Sequence, residues 1–167
     1  VGTLAGTFNV HPVKVEASSV GEAVRAAGTD WWTMFHHDLT HTGYSTSQAP
    51  NTNNILWSIP IATTVHYSSC AVTDGRIYMG IDHNVSAFNA LTGAQIWTCP
   101  TGNFVESTCP AVADGKVYVG STDHNVYALD AVTGTLVWNY TTGAEVYWAP
   151  TVVGGAVYVG SWDHSFY

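Results

Sequence analysis

The chain has 167 residues, of which 46% are hydrophobic and 13% aromatic, enough to form the core of one domain. Twelve Asp and Glu residues outnumber four Lys and Arg residues, so a nucleic-acid backbone would be repelled and nucleic acid is not expected as a partner. We also expect no transmembrane segment, because no apolar run is long enough to cross a bilayer, and no export signal, because no basic region followed by an apolar one opens the sequence. The polar residues are mainly Thr, Ser, Asn and Gly, which is typical of extracellular or cell-surface domains.

Residues 1–30 differ from the rest of the chain. Only VGEAVRAAG, at 20–28, has helical composition, and the remainder contains no repeat. We interpret this region as an extended N-terminal segment that serves as a linker or as an assembly arm.

From residue 31 onward the sequence repeats. The segments GRIYMGIDHNVSAFNALTGAQIWTCPTG, GKVYVGSTDHNVYALDAVTGTLVWNYTTG and GAVYVGSWDHSFY align on their glycines, and Gly80, Gly120 and Gly160 lie forty residues apart. Spacing of this size indicates a repeat architecture. Residues 31–167 are therefore predicted to form one domain built from such units.

Each unit is predicted to contain four antiparallel β-strands. Asp-Gly or Gly-Gly joins the first two strands, Asp-His the next two, and Thr-Gly the last two, and such dipeptides favour tight hairpins. Strands such as KVYVG and LVW carry apolar groups on both faces, which indicates sheets covered on both sides. The predicted fold is an all-β propeller of four-stranded antiparallel blades, with about three blades and hence an incomplete ring.

One string occurs twice, as AFNALTGAQIW at 87–97 and as ALDAVTGTLVW at 128–138. It resembles the tryptophan-docking motif of the PQQ-like (pyrroloquinoline quinone) β-propeller repeat family, with a departure at Asn89, and the resemblance covers about residues 31–167. The matching residues are Ala87, Thr92, Gly93, Trp97, Ala128, Asp130, Thr133, Gly134 and Trp138.

The physical role of this string follows from its residue types. Glycine permits a turn conformation that a Cβ resists, and alanine leaves room for a ring. An indole that buries about 200 Å² against the neighbouring blade contributes several kcal/mol at ~25 cal/mol per Å². The string is therefore predicted to join blades.

The resemblance implies two kinds of protein. Quinoprotein dehydrogenases of this family hold PQQ and calcium at the propeller centre with a catalytic Asp and often adjacent cysteines, whereas other members, such as outer-membrane assembly factors and sensor ectodomains, bind no cofactor. This sequence has no Cys-Cys pair, and its acids lie mainly in predicted turns. We therefore predict no enzymatic activity, no cofactor and no metal.

Histidines recur at the predicted Asp-His turns. They are His83, His124 and His164. Because those turns point outward from sheets about 10 Å apart, the three imidazole rings are not expected to reach one ion. Their recurrence is explained by the formation of the turns. A second cluster of His36, His37, Asp38 and His41 lacks a helix to align its side chains. Two acids at equivalent inter-blade connections, Glu106 and Glu145, are interpreted as a solvated rim.

Three cysteines and two sequons bear on modification. Cys70 with Cys109, or Cys99 with Cys109, are the candidate disulfides, and the alternative is three small buried thiols. Asn84 and Asn139 each begin an Asn-x-Ser/Thr sequon and are candidate sites for N-linked glycans.

The number of predicted blades is too small for a ring, which in this family takes six to eight blades of about 40 residues. The sequence holds two full blades, a third without its outer strand, and an isolated outer strand, ILWSIPI. We expect the strand Ile55 to Ile59, helped by Thr7 to Val15, to complete the last blade of another copy, giving a head-to-tail ring or fibre. The alternative is a fragment of a longer propeller scaffold or sensor, or of a PQQ-dependent quinoprotein dehydrogenase.

Overall fold

A computed structural model describes residues 31–37, 50–61, 69–105 and 109–167. The predictions for residues 1–30 lie outside this part of the chain, as do those for Asp38, His41 and Glu106. Within it, no helix has the length and apolar character needed to cross a bilayer.

The described residues form ten β-strands. They are β1 (Ala71–Thr73), β2 (Arg76–Ile81), β3 (Asn84–Asn89), β4 (Gln95–Pro100), β5 (Ala111–Ala113), β6 (Lys116–Gly120), β7 (Asn125–Asp130), β8 (Leu136–Thr141), β9 (Thr151–Val153) and β10 (Ala156–Tyr158). The first four and the next four each form an antiparallel sheet in sequential order, and β9 pairs with β10. The predicted all-β fold with four-stranded antiparallel blades is confirmed.

Tight turns join the first two strands of each blade, as predicted. Asp74-Gly75, Asp114-Gly115 and Gly154-Gly155 all have positive φ at both positions. This is the conformation of a type I′ turn, which matches the twist of a two-residue hairpin. Asp at the first position accepts left-handed backbone more readily than most residues with a Cβ do.

The blades are arranged with their first strands together. β5 contacts both β1 and β9, so the first strand of each sheet is the inner one. Residues 32–34 run along this inner edge: the amide of Val72 donates to Trp32 O at 2.6 Å and that of Val112 to Thr33 O at 2.7 Å. Met34 is buried in the core between the second and third sheets. Residues 32–34 are therefore part of the blade array.

The two ends of the array are unfinished within the described residues. The third blade has β9, β10 and only the beginning of a third strand, where Gly160 pairs with Phe166. Residues 54–61 adopt no strand within this chain. The strand predicted over Ile55 to Ile59 was expected to pair with another copy, so it stays a prediction. Residue types favoured a strand there, but a strand also needs a hydrogen-bonded neighbour, and no described segment pairs with it.

Candidate functional site

The Thr-Gly turns between third and fourth strands are built by a side-chain cap. Asp130 Oδ1 accepts hydrogen bonds from the amides of Val132 at 2.9 Å and Thr133 at 2.8 Å. In the first blade Asn89 Oδ1 accepts from the amides of Leu91 and Thr92. The cap needs an oxygen two or three residues before the amides, which Asn supplies as well as Asp does. The departure at Asn89 therefore leaves the bonds to the two backbone amides in place.

The indole of Trp97 lies on the turn of the following blade. Trp97 stands opposite Ala87 in its own sheet and donates from Nε1 to Ala131 O at 3.1 Å. Gly134, with a φ of +74°, lies beneath the ring: a Cβ there would come within 2.5 Å of Trp97 Cδ2. Tyr78 donates to the same Ala131 oxygen at 3.1 Å. Alanine thus makes room within a blade, and glycine makes room between blades.

Trp57 makes the same contact one blade earlier. Its Nε1 donates to Ala90 O at 2.9 Å, and a Cβ on Gly93 would lie 2.7 Å from Trp57 Cδ2. Trp57 is therefore the equivalent of Trp97, although its segment forms no strand. The sequence contained the signal, because Trp57 precedes Trp97 by forty residues, but the prediction did not use it.

Trp138 occupies the same position in the second blade but has no turn on it. It stands opposite Ala128 and lies 5.9 Å from the Tyr118 ring, as Trp97 lies 5.9 Å from Tyr78. It is nevertheless 37% exposed, against 8% for Trp97. The difference arises because the described third blade ends before its own Thr-Gly turn.

A second inter-blade contact was not predicted. Asp123 Oδ2 accepts from the Gly102 amide at 2.7 Å, and Gly102 belongs to the connection that leaves the preceding blade. Asp163 makes the same bond with the Gly143 amide at 2.7 Å. A Cβ on either glycine would clash with the carboxylate. The aspartates of the Asp-His turns therefore join blades, beyond forming the turn.

Each of these aspartates also accepts a hydrogen bond from a tyrosine. Burial alone raises the pKa of Asp123, but bonds from Tyr127, Asn125 and Gly102 outweigh it, and the net pKa lies below the usual value. Burial and the bond to Asp123 raise the pKa of Tyr127 to about 12. The bond from Tyr167 is the main cause that lowers the pKa of Asp163 to about 2. The carboxylates are thus held ionised by structural contacts.

The predicted histidine sites stay separate in the structure. His124 and His164 have positive φ in their turns. In the first blade, where the turn is shorter, the residue with positive φ is Asp82 instead. His83 packs edge-on against Phe104 at 4.2 Å. Across residues 31–37, 50–61, 69–105 and 109–167, no three His, Cys, Asp or Glu side chains form a group that could hold a metal ion.

The modification candidates have distinct surroundings. All three cysteines are free thiols; Cys109 Sγ lies 3.8 Å from Cys70 O, while Cys99 lies in the outer strand β4. An outer strand lies three strand spacings of about 4.8 Å from an inner one, so the structure favours the Cys70–Cys109 pair over Cys99–Cys109. Asn139 is exposed on the outer strand β8, and Asn84 is partly buried in β3.

Comparison with known proteins identifies the repeat. Residues 81–167 match the protein family described as outer membrane protein assembly factor BamB. No curated protein sequence matches the chain significantly.

Solved structures share the fold. BamB from Moraxella catarrhalis has a TM-score of 0.59 and 22% identity, covering 66% of this chain and 35% of its own. A europium-containing methanol dehydrogenase has a TM-score of 0.68 and 21% identity, covering 84% of this chain and 29% of its own. Quinohemoprotein alcohol dehydrogenase from Comamonas testosteroni has a TM-score of 0.67 and 28% identity, covering 86% and 25%. The chain thus spans between a quarter and about a third of each.

Proposed function

Since this chain belongs to the PQQ-like β-propeller family described for the outer membrane protein assembly factor BamB, we propose that it acts outside the cytoplasm as a non-catalytic structural and interaction module. The observation that carries this proposal is that three of its aspartates serve as structural hydrogen-bond acceptors. Asp123, Asp130 and Asp163 all accept hydrogen bonds from backbone amides and from neighbouring hydroxyls, in turns and in contacts between blades.

The lowered pKa values of these three carboxyl groups support the same conclusion. Hydrogen bonds, first among them that from the Thr133 amide, lower the pKa of Asp130, and the pKa values of Asp123 and Asp163 are also lowered. A general acid or base works best with a pKa near the operating pH. These carboxylates are shifted the opposite way, as expected for structural acceptors.

The inner edge of the array supports it as well. Backbone from Trp32 and Thr33 pairs with β1 and β5, and Met34 packs behind them. This places the chain's own residues along the inner strands of the first two blades. This arrangement is compatible with a structural role. A catalytic centre at the inner strands would have to fit beside this backbone segment.

An extracytoplasmic location is part of the proposal. It rests on the BamB family description, which names an outer membrane protein assembly factor, and on a composition that is low in charge and rich in Thr, Ser, Asn and Gly. The partners of such a module are proteins, which it would engage through sheet faces and edges.

The test is a titration of the purified chain with PQQ and calcium chloride, followed by isothermal calorimetry and visible absorbance, with dye-linked alcohol oxidation assayed in parallel. We expect no stoichiometric binding and no turnover. One equivalent of bound PQQ, or turnover above the protein-free rate, would refute the non-catalytic role. A quinoprotein fragment is the second candidate, favoured by the 28% identity to the Comamonas testosteroni enzyme.

Head-to-tail self-assembly is the finer form of the proposal. It is supported by the segment around Trp57, which lies on blade one without strand partners among the described residues. Another copy's third blade could supply them. Sedimentation velocity tests this form: concentration-dependent polymers that disappear when residues 1–60 are deleted would support it, and a monomer at all concentrations would refute it.

A further inference from the structure

Two aromatic rings lie together at the boundary between the second and third blades. Tyr147 belongs to the connection between β8 and β9, and Trp162 belongs to the turn that follows the second strand of the third blade. Their ring centroids are 4.7 Å apart and the rings are inclined at 41°. Trp162 is 57% exposed and Tyr147 is half-buried, so part of the indole packs on the tyrosine and the rest faces solvent. We call these two residues the Tyr147–Trp162 pair.

The position of the pair is set by contacts within the chain. The Trp162 amide donates to Glu145 O at 3.0 Å, as the Thr122 amide donates to Phe104 O at 2.9 Å one blade earlier. In both cases a turn is fastened to the connection that leads into its own blade. Both sides of this boundary are therefore present among the described residues.

The fold does not require an indole in this turn. Thr122 holds the equivalent position in the second blade, where it is 9% exposed and its hydroxyl donates to Phe104 O at 3.3 Å. The two turns are otherwise alike, since Asp123 and Asp163 accept from equivalent glycine amides. A largely exposed indole buries little apolar surface and so adds little to stability. Because binding residues concentrate on loops held by a rigid scaffold, Trp162 indicates a binding role.

The charges near the pair restrict the kind of ligand. Arg76 and Lys116 are the only Lys or Arg residues in the described part of the chain. They begin β2 and β6, whereas the turn that holds Trp162 follows the end of a second strand, so the cations lie at the opposite end of the blades. Glu145 and Asp163 are the charged residues beside the pair. An anionic ligand would meet acids there, so we expect a neutral one.

The exposed indole face suits a sugar ring. The face of an aromatic ring is electronegative and its edge is electropositive, so C–H groups pack favourably on the face. A pyranose with equatorial hydroxyls presents C–H groups on both of its faces and hydroxyls around its edge. Such a ring can therefore stack on Trp162 while its hydroxyls stay free to make hydrogen bonds.

Polar groups of the pair favour a sugar over an apolar side chain. Neither Tyr147 Oη nor Trp162 Nε1 makes a hydrogen bond to another residue in the described part of the chain. Sugar hydroxyls bond to both groups, whereas an apolar side chain of a partner protein would cover them and leave them unpaired, which costs free energy.

We propose that the Tyr147–Trp162 pair binds a neutral oligosaccharide, with one pyranose of the glucose or N-acetylglucosamine type stacked on the exposed face of Trp162. Hydroxyls of this sugar or of the next one along the chain bond to Tyr147 Oη and Trp162 Nε1. The proposal goes beyond the structural role, because it assigns a ligand to two side chains that make no hydrogen bond between blades.

The probes are cellohexaose and chitohexaose, which are neutral β-linked oligomers of glucose and of N-acetylglucosamine. Their binding to the full chain is measured by isothermal titration calorimetry. We expect saturable binding of at least one of them, which Trp162→Thr weakens by at least ~10-fold because the stacking surface is lost. The second blade has threonine in the same turn, at Thr122, so this variant should keep its circular dichroism spectrum.

Two further variants separate stacking from other effects. Trp138→Ala is the matched control, because Trp138 is also exposed, at 37%, but lies on the outer strand β8, and this variant should bind as the unmodified chain does. Trp162→Phe keeps an aromatic face and should weaken binding less than Trp162→Thr does. Equal losses with Trp162→Phe and Trp162→Thr, or with Trp138→Ala and Trp162→Thr, would overturn the proposal.

Other results would also overturn it. These are no binding of either hexamer, binding that Trp162→Thr leaves unchanged, and tighter binding of a galacturonic acid hexamer, which would show that the site selects an anion. Self-association in sedimentation velocity that Trp162→Thr abolishes would make a second copy of the chain the occupant. PQQ binding, measured separately, would instead refute the proposed function and leave the sugar site standing.

Discussion

Replacement of Gly134 by alanine tests the indole contact between blades most sharply, because the chain contains a matched control. Gly134 and Gly115 have φ values of +74° and +68°, so alanine is strained at either position by a similar amount, about 1–2 kcal/mol. A Cβ on Gly115 meets nothing within 4 Å, whereas one on Gly134 would lie 2.5 Å from Trp97 Cδ2. The difference between the two variants isolates the contact with the indole.

The size of that difference follows from the burial of Trp97. At 8% exposure the side chain buries most of its surface, about 200 Å², which corresponds to an upper value of ~5 kcal/mol. Displacing the ring from the turn exposes roughly half of it, or ~2 kcal/mol, and breaks the bond to Ala131 O, worth ~1 kcal/mol. We therefore expect Gly134→Ala to lower the free energy of unfolding by about 3 kcal/mol more than Gly115→Ala does.

The assay is urea unfolding followed by far-ultraviolet circular dichroism, repeated in a Trp97→Ala background. Without the indole, Gly134→Ala should cost only what Gly115→Ala costs, because the coupling partner is gone. Equal destabilisation by the two alanine variants in the unmodified background would show that the indole contact does not hold the blades together.

Three further outcomes are expected. The pKa of Asp163, about 2, lies below the ~3.9 of an unfolded aspartate, so its contribution to stability is present above pH ~4 and is lost as the pH falls through ~2. Asp163→Asn should flatten that part of the melting-temperature profile, and an unchanged acid limb would contradict the assignment. Under oxidising conditions peptide mapping should find a Cys70–Cys109 bridge and a free third cysteine, forming slowly at neutral pH because burial raises both thiol pKa values; any other pairing contradicts the geometry. In a glycosylating host, glycosidase treatment should shift the mobility of the chain and of Asn84→Gln but not that of Asn139→Gln, and the reverse pattern would refute the exposure argument.

The blades themselves could be predicted from the sequence because their signals are local. Asp-Gly and Gly-Gly pairs encode type I′ turns, and apolar residues on both faces of KVYVG encode a sheet that is covered twice. These patterns depend on residues within a few positions of each other. The structure places the predicted strands and turns accordingly from residue 69 onward.

The contacts between blades were less predictable because their partners are distant in sequence and partly backbone. Asp123 was explained as a turn residue, and its turn bond to Asn125 is present, but its other oxygen reaches the Gly102 amide, which no side-chain pattern reveals. Trp57 was placed in an outer strand that completes another copy, and its contact with Gly93 in its own chain was not predicted. The recurrence of Gly102 as Gly143, and of Trp57 as Trp97, was the signal that repeat alignment could have supplied.

Hydrogen–deuterium exchange of the unmodified chain and of its Trp97→Ala variant tests the indole contact between blades most directly. The account predicts faster amide exchange in the variant at residues 130–134, the turn on which the indole lies, with little change at the Asp114-Gly115 turn. Equal exchange of residues 130–134 in the two proteins would contradict it.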